Sequence, residues 1–428
     1  MHASVQWLNQ YLTPANLTAD EAADVLQLSL ADISADESPV VRFVNGLLYD
    51  ALKAQASDIH LECAARGLAV KYRLDGVLQA VARPEGRDFA DRVVSRIKVL
   101  ADLDISERRV PQDGRLKLSY GGRAIDVRVS IMPNLYGEDA VLRILDRYQL
   151  SAESTLSIEH LGFDAANARF IRRLGAMPYG LLLVTGPTGS GKTTTLYAVI
   201  SEVNSGQEKI ITIEDPVEYQ LPDVLQIPVN EAKGLTFARG LRSILRHDPD
   251  KIMVGEIRDE DTAQIAIQSA LTGHLVFTTV HANNVVDVIG RFLNMNVDLY
   301  NFVSALNCVL AQRLVRRICD HCRRPFPASR QLLEESGLDP DVHGGHTFYE
   351  GAGCIECNGT GYHGRMAVSE LLDLSDRIRE LILARRPASE IKRAAKEEGM
   401  TFLRESAVQK VLEGVTTLRE INKFTFVD

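Results

Sequence analysis

Apolar and polar positions change their rhythm several times along this chain, and the changes divide it into segments. Residues 1–37 are acidic and Ala-rich and predict a short helical lead, with Thr18 placed to cap a helix that begins at Ala19. A helix is expected over residues 40–56, followed by short alternating stretches such as 68–74 and 123–130. Turn signals at Asp75-Gly76, Asp113-Gly114 and Gly121-Gly122 separate these stretches. That pattern predicts one α/β domain over residues 38–146, joined by a polar linker over 147–159 to a second region.

In the second region, apolar runs at 181–185, 210–213, 251–254 and 275–279 alternate with helical stretches. Such alternation predicts a mainly parallel sheet covered by helices. The second domain is expected over 160–428, with two Cys-x-x-Cys pairs after the sheet in a subdomain at about 311–370 and a helical tail from 375.

Composition narrows the class. A chain of 428 residues exceeds the size of one hydrophobic core, and 45% hydrophobic with 25% charged residues is ordinary for a globular protein. A formal net charge of −9 gives no overall footprint for nucleic acid. No apolar run approaches the roughly 20 residues that span a bilayer, and Met1 to Gln10 do not read as a secretion leader. The expectation is a cytoplasmic protein that meets membranes only through partners.

The sharpest local signal is Gly186-Pro187-Thr188-Gly189-Ser190-Gly191-Lys192-Thr193, between an apolar strand and a helical run that continues from Thr194. Glycines let a backbone wrap phosphates at a helix N-terminus, Lys192 is placed to reach the β- and γ-phosphates, and the Thr193 hydroxyl to hold Mg²⁺. Glu256 ends the strand at 251–254 and suits the second metal-and-water position of an ATP-driven motor. Glu214 and Asp215 end another strand, with Glu218 close behind, and one of these carboxylates is a second candidate for orienting water; loop capping is the plain alternative. His274 and His281 bracket the strand at 275–280, where a neutral imidazole can sense a γ-phosphate, although a histidine at a strand end is more often structural.

Arg242 and Arg246 fall on one helical face, and Arg128 points away from Ile125, Val127 and Val129 on its strand. Arg143 lies in an apolar run, where its charge needs a partner, either a nucleotide or a neighbour such as Asp126 or Glu138. Cys319, Cys322, Cys354 and Cys357 have the spacing of a closed tetrahedral zinc site, structural rather than catalytic.

Several segments in order make the chain resemble the type II secretion ATPase family: Ser57-Asp58-Ile59-His60-Leu61-Glu62, Pro111-Gln112-Asp113-Gly114-Arg115, the phosphate loop, Ile213-Glu214-Asp215-Pro216-Val217-Glu218, Arg246-His247-Asp248-Pro249-Asp250, Gly255-Glu256-Ile257-Arg258-Asp259, Thr272-Gly273-His274 and the four cysteines. The resemblance implies a RecA-like P-loop core behind a smaller N-terminal α/β domain, and a homohexamer working with platform proteins at the cytoplasmic face of a Gram-negative inner membrane. It implies ATP, Mg²⁺ and Zn²⁺ as ligands, Glu256 as the Walker B glutamate, Glu214 in an Asp box, and His274 with His281 in a His box. Arg128, Arg143, Arg242 and Arg246 then match arginines that reach the nucleotide. Many members carry a longer N-terminal docking domain, whereas about 37 residues precede the shared region here.

Within this resemblance the expected work is assembly of a pseudopilus for protein export, with extension of a type IV pilus as the alternative. A retraction motor is disfavoured because such motors generally lack the four cysteines. A nucleic-acid motor shares the phosphate loop but not the acidic charge.

Overall fold

A computed structural model describes residues 25–28, 38–145 and 156–425, and the chain forms two compact units, Met1–Glu153 and Ser154–Asp428. The expected lead helix at Thr18 and residues 147–155 of the expected linker lie outside the described residues. Among the described residues no helix is long and apolar enough to cross a membrane.

In the first unit, strand β1 (Val25–Leu28) is followed by helix α1 (Pro39–Lys53). Pro39 opens the helix where an N–H is not needed, and Val44, Leu47, Leu48, Ala51 and Leu52 form its buried stripe. The helix stops short of the expected residue 56 because Gln55 turns left-handed, at φ 56°. Then come β2 (Asp58–Ala64), β3 (Gly67–Leu74), β4 (Val77–Ala82), α2 (Arg87–Leu100), β5 (Gln112–Tyr120), β6 (Arg123–Asn134) and β7 (Gly137–Leu145). The seven strands make one sheet in the order β1-β5-β6-β7-β2-β3-β4. Ile125, Val127, Val129 and Ile131 of β6 face a core shared with both helices, which leaves Arg128 on the other face.

The second unit begins with α3 (Ala165–Gly175), β8 (Gly180–Thr185), α4 (Lys192–Val203), β9 (Ile210–Glu214), β10 (Leu225–Pro228), α5 (Phe237–Ile244), β11 (Lys251–Val254), α6 (Glu260–Leu271) and β12 (Leu275–Val280). After α7 (Asp287–Asn294) and α8 (Leu299–Ala305), the chain continues as β13 (Leu306–Ile318), β14 (Arg323–Phe326), α9 (Arg330–Glu335), α10 (Pro340–His343), β15 (Phe348–Gly351) and β16 (Tyr362–Asp373). Four helices close it: α11 (Asp376–Leu383), α12 (Ala388–Glu397), α13 (Leu403–Leu412) and α14 (Leu418–Phe424).

The main sheet has the order β10-β9-β11-β12-β8-β13-β16, parallel except for the last pair. Every residue of β8, β9, β11 and β12 is buried. Alternate residues explain why: Leu181 and Leu183 enter one core with α5, α6 and α7, while Leu182 and Val184 enter another with α3 and α4. One expectation is corrected here. The cysteine pairs do not follow the sheet but lie between its last two strands, because β13 and β16 pair along their length from Cys308↔Asp373 to Ile318↔Tyr362 and the cysteine segment is the excursion between them.

Candidate functional site

β8 leads straight into residues 186–193, and α4 starts at Lys192. Gly186, Gly189 and Gly191 have φ of 149°, 77° and 81°, a region that disfavours side chains. A Cβ on Gly186 would stand 2.5 Å from Ser190 Oγ and 2.6 Å from the Gln312 carbonyl, so the loop closes only with glycine there. Inside it, Lys192 Nζ donates to the carbonyls of Gly186 (3.0 Å) and Pro187 (3.1 Å). Burial pushes the Lys192 ammonium down to about 8, with Arg313 pushing the same way and Glu256 and Glu218 opposing.

Two hydroxyls test whether this loop fits Mg-nucleotide. Ser190 Oγ is buried with no hydrogen-bond partner, an orphan that an acceptor oxygen of a phosphate satisfies. Thr193 is half-buried, and its hydroxyl bonds to no described residue, which leaves it available to a metal ion.

The ends of neighbouring strands face the loop. Gly255, just past β11, is pinned by its N–H to the Ile213 carbonyl (2.8 Å) and by Thr279 Oγ1 to its own carbonyl (2.8 Å). Glu256 follows, with Oε1 2.5 Å from Arg258 Nη2 and Oε2 3.5 Å from His281 Nε2. Arg258 also stands 4.0 Å from Asp215. Burial, then the charge of Lys192, push the His281 imidazole below its ordinary value, so it is neutral at pH 7 and able to donate or accept one proton. Lys192, Glu256 and His281 are thus assembled from β8, β11 and β12 at the carboxyl ends of parallel strands, where α/β sheets bind ligands.

The other expected residues have partners of their own. Glu214 is 1% exposed, and its oxygens accept from Thr212 Oγ1 (2.5 Å), Gln226 Nε2 (3.1 Å) and Tyr197 Oη. It braces β9 against α4 at the carboxyl end of its strand. For His274 the nucleotide-binding expectation is corrected. Leu275 pairs with Gly180 and Val280 with Thr185, so His274 sits where β8 begins, roughly 20 Å of strand from the loop. There its Nδ1 is 3.0 Å from the Ser269 carbonyl. Arg242 pairs with Asp261 (3.2 Å). Arg246 lies past the end of α5, bonded to the Arg242 carbonyl, in the turn whose His247 carbonyl accepts from Lys209. Because Lys209 precedes β9, that turn is at the starting edge of the sheet.

In the first unit, direct cross-strand pairing sets Arg115 beside Arg128, Arg128 beside Arg143, Arg143 beside Asp58 and Asp58 beside Arg73, all on one face. Arg143 finds neither Asp126 nor Glu138 but Asp58, through Nε at 2.9 Å, which leaves both Nη groups on a side chain that is 60% exposed. Arg128 has no ionic partner among the described residues.

The four thiolates come within 4.8 Å of one another. Sγ separations are 3.8 Å for Cys319–Cys354 and Cys322–Cys357 and 3.7 Å for Cys354–Cys357. A tetrahedron with Zn–S bonds of about 2.3 Å has edges of about 3.8 Å, so the donor set fits zinc. Backbone N–H groups of Gly353 and Gly361 donate to Cys322 Sγ (3.3 Å) and Cys357 Sγ (3.2 Å), which supports thiolate charge.

Two residues beside the loop escaped the sequence reading: Gln312 and Arg313 of β13. Their only signal was a polar pair inside an otherwise apolar run.

A phosphate loop set between parallel strands, with a carboxylate and a neutral imidazole at the neighbouring strand ends, defines a RecA-like P-loop ATPase. The profile described as Type II/IV secretion system protein matches residues 33–423, and the chain belongs to that family. It is 44% identical over 407 residues to the type IV pilus assembly ATPase PilB of Myxococcus xanthus, covering 95% of this chain and 70% of that one. It is 46% identical over 395 residues to the type II secretion system protein E of Aeromonas hydrophila, covering 92% and 77%. Among solved structures, the pilus retraction motor PilT with bound ADP aligns at 25% identity and TM-score 0.57, covering 89% of this chain and 96% of that one. The Legionella pneumophila ATPase DotB shares the fold, at 19% identity and TM-score 0.63, covering 94% and 98%.

Proposed function

We propose that the protein couples ATP hydrolysis to pseudopilus assembly and protein export in a type II secretion system, as a homohexamer docked on inner-membrane platform proteins. The observation that carries the chemistry is the meeting of Lys192, orphaned Ser190 Oγ and Glu256 around one loop. Lys192 binds phosphate oxygens, Glu256 orients and deprotonates the attacking water, and His281 donates a hydrogen bond near the terminal phosphate. Thr193 holds magnesium, which when bound neutralises phosphate charge. The zinc site is structural. Extension of a type IV pilus is the second reading, favoured by the match to the Myxococcus xanthus ATPase over 95% of this chain.

Lys192→Ala is expected to abolish nucleotide binding, whereas Glu256→Gln binds nucleotide and does not turn over. Binding by a fluorescent ATP analogue and phosphate release on both variants check this; a Glu256→Gln variant that keeps most of its turnover moves the water-orienting role to another carboxylate. For Arg128 and Arg143 we propose charge stabilisation of the transferred phosphoryl group in the assembled ring, an effect of about 10³ to 10⁵ in rate for such cations. Arg128→Ala and Arg143→Ala should lose turnover while affinity and thermal midpoint stay close to wild type. Near-normal turnover in both defeats the assignment. Secretion of a reporter protein by cells carrying these variants, scored against pilus display, separates export from pilus extension.

A further inference from the structure

The strand beside the phosphate loop grips it at a residue outside every motif named above. In the parallel pairing of β13 with β8, Leu310 lies opposite Val184 and Ala311 opposite Thr185, so Gln312 stands level with the point where β8 becomes the loop. Its side chain is 1% exposed, and both ends of the amide are used. Oε1 accepts from Thr195 Oγ1 in the first turn of α4 (2.9 Å), and Nε2 donates to the Ser190 carbonyl (2.6 Å). The Gln312 carbonyl closes the space beside Gly186, and its Nε2 lies 3.2 Å from where a Cβ on Gly191 would be. The anchor itself is fixed, because β13 is paired on both sides, by β8 and β16. Arg313 extends the grip: its Nη1 donates to the Gln312 carbonyl (3.1 Å) and its Nη2 to the Asn283 carbonyl (2.8 Å), two residues beyond His281.

We propose that Gln312 is a positioning residue for the phosphate loop, holding Ser190 and the first turn of α4 so that Lys192 and Thr193 present their polar ends to the phosphates of Mg-ATP. A primary amide is suited to the task because it accepts from a hydroxyl and donates to a carbonyl at once. Leucine at this site strands a buried hydroxyl and a buried carbonyl, and glutamate keeps the first bond, loses the second and adds a negative charge beside the phosphates. The loop stays connected in either case, but its glycines are then free to leave the phosphate-binding shape.

This inference rests on the nucleotide reading of the loop, and the experiment keeps the two apart. Affinity for a fluorescent ATP analogue, steady-state KM and kcat with Mg-ATP, and thermal midpoint without nucleotide are measured on the full chain for Gln312→Leu, Thr195→Val, the double variant and Lys192→Ala. Gln312→Leu is expected to raise KM and Kd by about tenfold or more, the equivalent of one lost buried hydrogen bond, with a smaller loss in kcat. Thr195→Val, which removes one of the two bonds, should raise KM less, and the double variant should be no worse than Gln312→Leu, since both act through one contact. If Gln312→Leu does not fold, Thr195→Val must raise KM on its own. Wild-type KM and Kd in the folded variants, while Lys192→Ala loses nucleotide, overturn the proposal and leave Gln312 a packing residue. Full affinity in Lys192→Ala overturns the nucleotide reading itself.

Discussion

An ammonium held by two backbone carbonyls inside a glycine loop is poorly solvated, and the pKa of Lys192, about 8 against 10.5 for a free lysine, measures the cost. Below about 8 both folded and unfolded chains carry the proton, and the folded chain bears the desolvation cost, on the order of 3 kcal/mol. Between about 8 and 10.5 the unfolded chain holds more protons, so the Lys192 contribution makes stability rise with pH across that window. Lys192→Met without nucleotide at pH 7 is therefore expected to unfold at the same temperature as wild type or higher, with the difference shrinking towards pH 10. Saturating Mg-ATP should reverse the order, because only the wild-type chain gains stability from binding. Calorimetric scans at three pH values check this; a Lys192→Met chain clearly less stable at pH 7 shows that the two carbonyl contacts outweigh burial. A comparable tension surrounds Arg143, which Asp58 holds by Nε, a geometry that fixes the stem of the guanidinium and leaves its tip free.

The excursion between β13 and β16 has little core of its own. Leu333, Leu338 and Phe348 pack with Val411, Leu418 and Ile421 of the closing helices, so the cysteine segment and those helices share one cluster. One zinc per chain is expected in freshly purified, reduced protein, and its removal should expose both residues 319–361 and helices α13 and α14 to protease. Metal analysis with limited proteolysis decides it, and protein without zinc, or cleavage unchanged by a chelator, counts against the site. How far the sequence foretold these elements follows from where each one's partners lie. β8, β9, β11 and β12 are buried on both faces and read as unbroken apolar runs. β13 and β16 hide because they carry Gln312, Arg313, Arg316 and Glu370. Those groups are satisfied by Ser190, Asn283, Glu420 and the N–H groups of Val285 and Leu403, all distant along the chain. The sequence places the two histidines at opposite ends of one strand, but only the parallel pairing of β12 with β8 decides that His281 has the phosphate end.

At the scale of the molecule, each unit has its own hydrophobic core, and the second divides into three clusters around one sheet. The acidic balance of the whole, −9, coexists with a row of cross-strand neighbours in the first unit, Arg115, Arg128, Arg143, Asp58 and Arg73, in which four of five charges are positive. In the second unit β8 lies between β12 and β13, and β10 is an edge strand with all four residues at least partly accessible. Amide protons report that difference directly, since a central strand exchanges only when the sheet as a whole opens, and an edge strand by local fraying. Peptides covering residues 180–185 are expected to take up deuterium last and those covering 225–228 early; equal rates would contradict the arrangement. Because the phosphate loop hangs from the slowest of these strands, partial loosening at the edge or in the closing helices should leave a chain that still captures ATP, and loss of capture should coincide with the final cooperative loss of exchange protection.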